Sequence, residues 1–159
     1  MNIYDYAMQM ERDGEQFYRG LAETSPSQGM ARILNKLADD EAKHYSIVAK
    51  MAEGAEPDMA ETTVLTDAKN IFAQMQGQPF ELGGPQVDAY RQAQEIERKS
   101  RDFYREKAEQ VTTPAAKAIM QKIADEEQRH FVLLDRIIEF MDRPRTWLEN
   151  AEFTHLDEY

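Results

Sequence analysis

Cysteine is absent from the chain. Disulfides, thiolate metal sites and cysteine nucleophiles are therefore excluded, and with them the usual sequence clue to redox compartment. Positive charge is outweighed: 19 Lys and Arg stand against 30 Asp and Glu, a formal net charge of −11. That balance argues against a nucleic-acid partner and against an anionic membrane surface. Long apolar runs are missing too, and a stretch such as Phe131-Val132-Leu133-Leu134 is far too short to cross a bilayer. The opening residues, Met1-Asn2-Ile3-Tyr4-Asp5, carry neither a basic segment nor an apolar core, so no secretory signal is expected. A soluble cytoplasmic protein, with no nucleic acid and no membrane, is the resulting expectation. No convincing strand pattern occurs, apart from the short ambiguous run Thr62-Thr63-Val64-Leu65.

What is present is helical periodicity over 159 residues, one domain's worth. Residues 3–22 place Ile3, Ala7, Met10, Gly14, Phe17 and Leu21 in alternating steps of four and three, one face of a helix. The neighbouring column Tyr4, Ala7, Glu11, Gly14, Tyr18, Leu21 contains a single charge, Glu11. In Thr24-Ser25-Pro26-Ser27-Gln28 a second helix is expected to begin, with Ser25 as N-cap, Pro26 in the first helical position and Gln28 completing a capping box. It runs to about residue 53 with the seam Met30, Leu34, Leu37, Glu41, His44, Val48, Met51, and Gly54 and Pro57 end it.

Residues 54–86 are the least regular third, with a short helix expected from Asp67 to Gln76 before Gly77, Pro79, Gly83, Gly84 and Pro85. A connection this long suits a crossover running the length of a helix bundle. A third main helix, about 86–110, carries the column Tyr90, Ala93, Glu97, Ser100, Tyr104. Thr113-Pro114 starts a fourth, about 114–141, with the seam Ala116, Met120, Ile123, Glu127, His130, Leu134, Ile137, Met141. The expectation is an all-α bundle over residues 1–143, followed by a tail, 144–159, whose short helix packs on the bundle or on a partner subunit.

The two halves repeat. Glu11 and Glu97, Glu41 and Glu127, and His44 and His130 are each separated by the same 86 positions. Tyr4 and Tyr90, Ala7 and Ala93, and Phe17-Tyr18 and Phe103-Tyr104 keep that offset, whereas the turn prolines Pro26 and Pro114 do not. A helix hairpin has been used twice, and the shared content lies on the inward columns.

In a helix, positions three apart share a face, so Glu41-x-x-His44 and Glu127-x-x-His130 each aim one carboxylate and one imidazole the same way. Glu11 and Glu97 add single carboxylates from the other two helices, which completes the ligand pattern of di-iron and di-manganese carboxylate bundles. Four ionised Glu in a core would be prohibitively costly alone, but two divalent cations balance them with both His neutral. Carboxylate and imidazole without sulfur suit iron or manganese, and affinity alone does not exclude zinc. Tyr18 and Tyr104, two turns beyond Glu11 and Glu97, are expected both to pack in the core and to donate hydrogen bonds to ligand carboxylates across the bundle. Glu15 is expected on a solvated face, and His155 in a surface or packing role.

On these motifs, Glu11…Tyr18, Glu41-x-x-His44, Glu97…Tyr104 and Glu127-x-x-His130, residues 3–142 resemble the rubrerythrin family of ferritin-like proteins. The resemblance implies a four-helix bundle of two repeated hairpins joined by a long crossover. It also implies a non-haem centre of two iron ions, held by Glu11, Glu41, His44, Glu97, Glu127 and His130, that reduces hydrogen peroxide or dioxygen. A homodimer is expected from the same resemblance. Two departures stand out. Typical rubrerythrins carry a rubredoxin-like domain with two Cys-x-x-Cys pairs, so here a rubredoxin-like electron donor would act in trans. They also tend to place a further carboxylate one turn after the third-helix ligand, where this chain has Ser100, with Gly14 as its repeat mate. A more symmetric six-ligand site, as in bacterioferritin-like proteins, is the alternative, and ferroxidase or iron-handling activity and a non-enzymatic metal-stabilised bundle are the rival functions.

Overall fold

The protein is described from a computed structural model, over residues 2–75 and 84–141. Among the described residues five helices account for the regular structure: α1 (Ile3–Thr24), α2 (Gln28–Ala52), α3 (Val64–Gln74), α4 (Gly84–Ala108) and α5 (Pro114–Met141). Among the described residues there are no strands. The expected tail and its short helix, and His155, lie outside the described residues.

The helix boundaries follow local chemistry. Asn2 caps α1 by accepting from the Asp5 N–H at 2.9 Å. The start of α2 differs from the sequence expectation, since its N-cap is Ser27, which accepts from the Met30 N–H at 3.2 Å. Ser25 instead closes α1, its own N–H bonding the Ala22 carbonyl. Preceding a proline, Ser25 is held extended, and its hydroxyl oxygen accepts from the Ser27 N–H within the turn. At the other end of α2, Gly54 has φ +86° and the Gly54 and Ala55 N–H groups bond back to the Met51 and Lys50 carbonyls. That paired pattern is a Schellman cap, which needs a residue free to adopt the left-handed conformation. The ambiguous run near residue 62 resolves as helix: Thr63 is the N-cap and Val64 the first residue of α3.

α1 packs chiefly on α2, and α4 on α5, with α1 against α4 and α2 against α5 completing the bundle. These are the two repeated hairpins. α3 lies in the long crossover between them and packs on α2 and α5, with Phe72 stacked 6.3 Å from Phe140. Among the described residues no helix is long and apolar enough to cross a membrane.

Two apolar clusters fill the bundle. One gathers Tyr18, Leu34, Leu37, Ala93, Leu133, Leu134 and Ile137; the other gathers Ala7, Val48, Met51, Tyr104, Met120 and Ile123. On every long helix the chain passes from one cluster to the other across a buried polar residue: Glu11 on α1, Glu41 and His44 on α2, Glu97 on α4, Glu127 and His130 on α5. A polar layer is thus sealed between two apolar ones.

Candidate metal centre

The helical period that places a Leu or Val in the seam at one turn places Glu or His there at the next, so the polar layer is built by register alone. All six of these residues are buried, none more than 3% exposed. They form two overlapping groups, Glu11, Glu41, His44 and Glu127, and Glu41, Glu97, Glu127 and His130, within each of which the nearest oxygen and nitrogen atoms lie within 4.8 Å of one another. Glu41 and Glu127 belong to both groups; Glu11 and His44 belong to one, Glu97 and His130 to the other. This is the symmetric six-residue arrangement.

Both imidazoles present the same atom to the centre. His44 Nδ1 lies 3.3 Å from Glu11 and 2.8 Å from Glu127, and His130 Nδ1 lies 3.0 Å from Glu97 and 3.3 Å from Glu41. The rings stack 6.2 Å apart. Their outer nitrogens face carboxylates: His44 Nε2 is 2.8 Å from Glu126, and His130 Nε2 is 2.8 Å from Asp40. Each histidine is therefore held by the other half of the repeat. A carboxylate beyond Nε2 keeps the proton there and leaves the Nδ1 lone pair pointing inward, as a metal ligand requires.

Two buried tyrosines reach the carboxylates of this layer. Tyr18 donates to Glu97 at 2.5 Å and Tyr104 to Glu11 at 2.9 Å, so each reaches across to the single carboxylate of the opposite half. Burial, then the charge of the nearby carboxylates, pushes both phenols well above their ordinary range, which keeps them as donors. Glu15 turns away and pairs with Arg19 at 3.4 Å.

Electrostatics in the metal-free layer are divided. Burial, reinforced by neighbouring carboxylates, raises Glu11, Glu97 and Glu127. For Glu41, burial also pushes upward, but hydrogen bonds with Glu11 and the two histidines outweigh it and hold it well below the usual range. Burial would lower the histidines; the surrounding carboxylates, Glu11 foremost for His44 and Glu97 for His130, raise both instead.

Even so, hydrogen bonding among these groups leaves Glu11 Oε2, Glu97 Oε2, both Glu127 oxygens and His44 Nδ1 without partners. Five orphaned buried atoms are costly in any core. All become electron-pair donors when deprotonated, and they face one another at contact distance, a set that a pair of cations completes. The residues present thus fit two metal ions bound by carboxylate and imidazole alone.

Asp40 and Glu126 are missed by periodicity. Each precedes a seam Glu, so helical geometry places it on the flank, where an acid reads as solvated. Their common spacing is the signal that finds them, since they too stand 86 positions apart. Burial raises each carboxyl, but its histidine outweighs that effect and holds it below the ordinary value.

Comparison with known proteins agrees with this geometry. No curated protein and no solved structure matched the chain. A family model described as Rubrerythrin matches residues 2–138, a span that includes all six residues of the buried polar layer, Tyr18 and Tyr104, and the two outer carboxylates. With most of its length so matched, the chain belongs to the rubrerythrin family.

Proposed function

We propose that the chain is a non-haem di-iron oxidoreductase that reduces hydrogen peroxide, with electrons from a separate rubredoxin-like protein. The observation that carries this reading is the pair of buried carboxylate–imidazole groups sharing Glu41 and Glu127. Glu11 and His44 would hold one ion, Glu97 and His130 the other, and the two shared carboxylates both; iron suits the donor set best, with manganese or zinc as alternatives. When bound, a ferrous pair supplies the two electrons that, with two protons, turn one peroxide into two waters. The protein's part is preorganisation. Tyr18 and Tyr104 fix the unshared carboxylates, Asp40 and Glu126 fix the imidazoles, and the flanking apolar clusters shield the layer from bulk water. At Gly14 the α1 backbone runs beside Glu41 with no side chain between, a Cβ there being 3.5 Å from the Glu41 carboxylate. The chain has no cysteine of its own to relay electrons, and a cytoplasmic homodimer belongs to the same reading.

Stopped-flow mixing of the ferrous-loaded protein with hydrogen peroxide or with dioxygen tests the assignment. Oxidation by peroxide is expected to be at least about ten times faster, a difference of roughly 1.4 kcal/mol in barrier. Dioxygen reacting as fast or faster overturns the peroxidase reading. One observation favours the rival in that event: Gly14 and Ser100, one turn beyond Glu11 and Glu97, supply no fifth carboxylate at those positions, and a symmetric six-residue set also fits a ferroxidase or iron-handling protein.

A further inference from the structure

The connection between α2 and α3 belongs to neither repeat, yet it touches both halves of the centre through one residue. The Thr62 N–H donates to Glu126 Oε2 at 2.8 Å, and the Thr62 hydroxyl donates to the Asp40 carboxylate. That hydroxyl is itself oriented, because its oxygen accepts from the Val64 N–H at 3.1 Å in the first turn of α3. Asp40 and Glu126 are repeat mates and hold His130 and His44, respectively. A continuous hydrogen-bonded path therefore runs His130–Asp40–Thr62–Glu126–His44, with Thr62 at its middle.

The path is not symmetric. Glu126 has three partners, namely His44, the Thr62 N–H and Lys43, whose ammonium lies 2.9 Å from it and also donates to the Ala60 carbonyl at 3.1 Å. Among the described residues Asp40 has two, His130 and the Thr62 hydroxyl. Loss of the hydroxyl leaves Glu126 fully held and Asp40 with His130 alone. An under-held carboxylate swings, and the imidazole it orients loses its fixed tautomer.

We infer that Thr62 is a positioning residue that ties together the two histidine-orienting carboxylates and makes the Glu97/His130 metal position depend on its hydroxyl while the Glu11/His44 position does not. The inference rests on the metal reading above, but its test separates from it. Wild type, Thr62→Val and Thr62→Ser are titrated with Co(II) against a competing chelator, and imidazole nitrogen NMR of the metal-free proteins, at a pH high enough that both rings are neutral, reports each histidine tautomer. Thr62→Val keeps the backbone N–H and nearly the same volume, so the fold is retained; Thr62→Ser restores the hydroxyl.

Two Co(II) should bind wild type and Thr62→Ser alike. In Thr62→Val one of the two should weaken by about 10-fold, the low end for a partner of a metal-ligating histidine, with His130 alone showing mixed tautomers. Equal weakening of both ions, no weakening, or failure of Thr62→Ser to restore the affinity overturns the inference. Should wild type take up no Co(II), the metal reading fails instead. The NMR then decides the inference by itself: a disordered His130 tautomer in Thr62→Val beside an unchanged His44 upholds it, and unchanged tautomers at both overturn it.

Discussion

Glu127→Gln is expected to cut metal binding from two ions per chain to one or none and, in the same protein, to stabilise the metal-free fold. Glu127 belongs to both groups of candidate ligands, so weakening it strikes both positions at once, whereas Glu11→Gln should spare the Glu97/His130 position. In the metal-free protein the same residue is a liability. Both of its oxygens are buried without a partner, and burial followed by the charges of Glu41, Glu97 and Glu11 pushes its carboxyl well above the ordinary value. A neutral amide of the same shape cannot ionise and brings two N–H donors into a ring of acceptors. Relieving an unsatisfied buried group is worth about 1–3 kcal/mol, and for a chain of this size each kcal/mol moves Tm by roughly 2–4 °C. Metal analysis and thermal unfolding of the stripped variant check both halves. A variant that keeps two ions, or whose metal-free form is less stable than wild type, contradicts the assignment of Glu127 as a shared ligand. Glu95→Gln, on the exposed face of α4, should change neither quantity.

The second large effect is a reversal of pH dependence on metal loading. In the metal-free protein Glu11, Glu97, Glu127, His44 and His130 all hold protons to higher pH than in the unfolded chain. Groups raised in this way contribute stability that is complete below their ordinary values, 4.5 for Glu and 6.5 for His, and is lost as pH climbs through the raised ones. Glu41, Asp40 and Glu126 oppose them: their contributions are present above the ordinary values, 4.5 for Glu and 3.8 for Asp, and are lost as pH falls through the depressed ones. Those three contributions are already complete by roughly pH 5, so from there to about pH 8 the five raised groups decide, and the metal-free protein grows less stable. The loaded protein should do the opposite, because carboxylates and imidazoles must shed their protons to bind metal. At a free metal concentration 100 times Kd, each site adds about 2.7 kcal/mol. Urea unfolding of stripped and loaded protein across this range should give slopes of opposite sign. Parallel slopes would mean that the metal is not bound by these titrating groups.

How much of this was visible in the residues alone depends on whether a position obeys a period. Glu11 and Glu97 could be found because each interrupts an otherwise apolar column at helical spacing, and because both keep the 86-residue offset of the Glu-x-x-His pairs. The reach of Tyr18 to Glu97 and of Tyr104 to Glu11 follows from the same columns once the hairpins are packed face to face. Asp40 and Glu126 sit one residue off the seam, where helical geometry alone says solvent; only the packing of α2 on α5 turns them inward. Thr62 lies in a connection with no period at all, and its contacts exist only because the crossover returns past the histidine side of the centre. The shift of the α2 cap from Ser25 to Ser27 has a local cause: two serines flank one proline, and the one three residues before Met30 is in position to accept its N–H. The run Thr62-Thr63-Val64-Leu65 looks strand-like because β-branched residues predominate in it, but its packing on α2 and the turn chemistry of Thr62 and Thr63 make it a helix start.

The most direct test of the account is the metal content of the wild-type chain together with the separation of its ions. Iron loaded anaerobically and assayed per chain, with X-ray absorption at the iron edge, should give two ions per chain, ligated only by oxygen and nitrogen, about 3.5–4 Å apart as in coupled two-metal sites. One ion or fewer per chain, or two ions with no second iron at that distance, would contradict it.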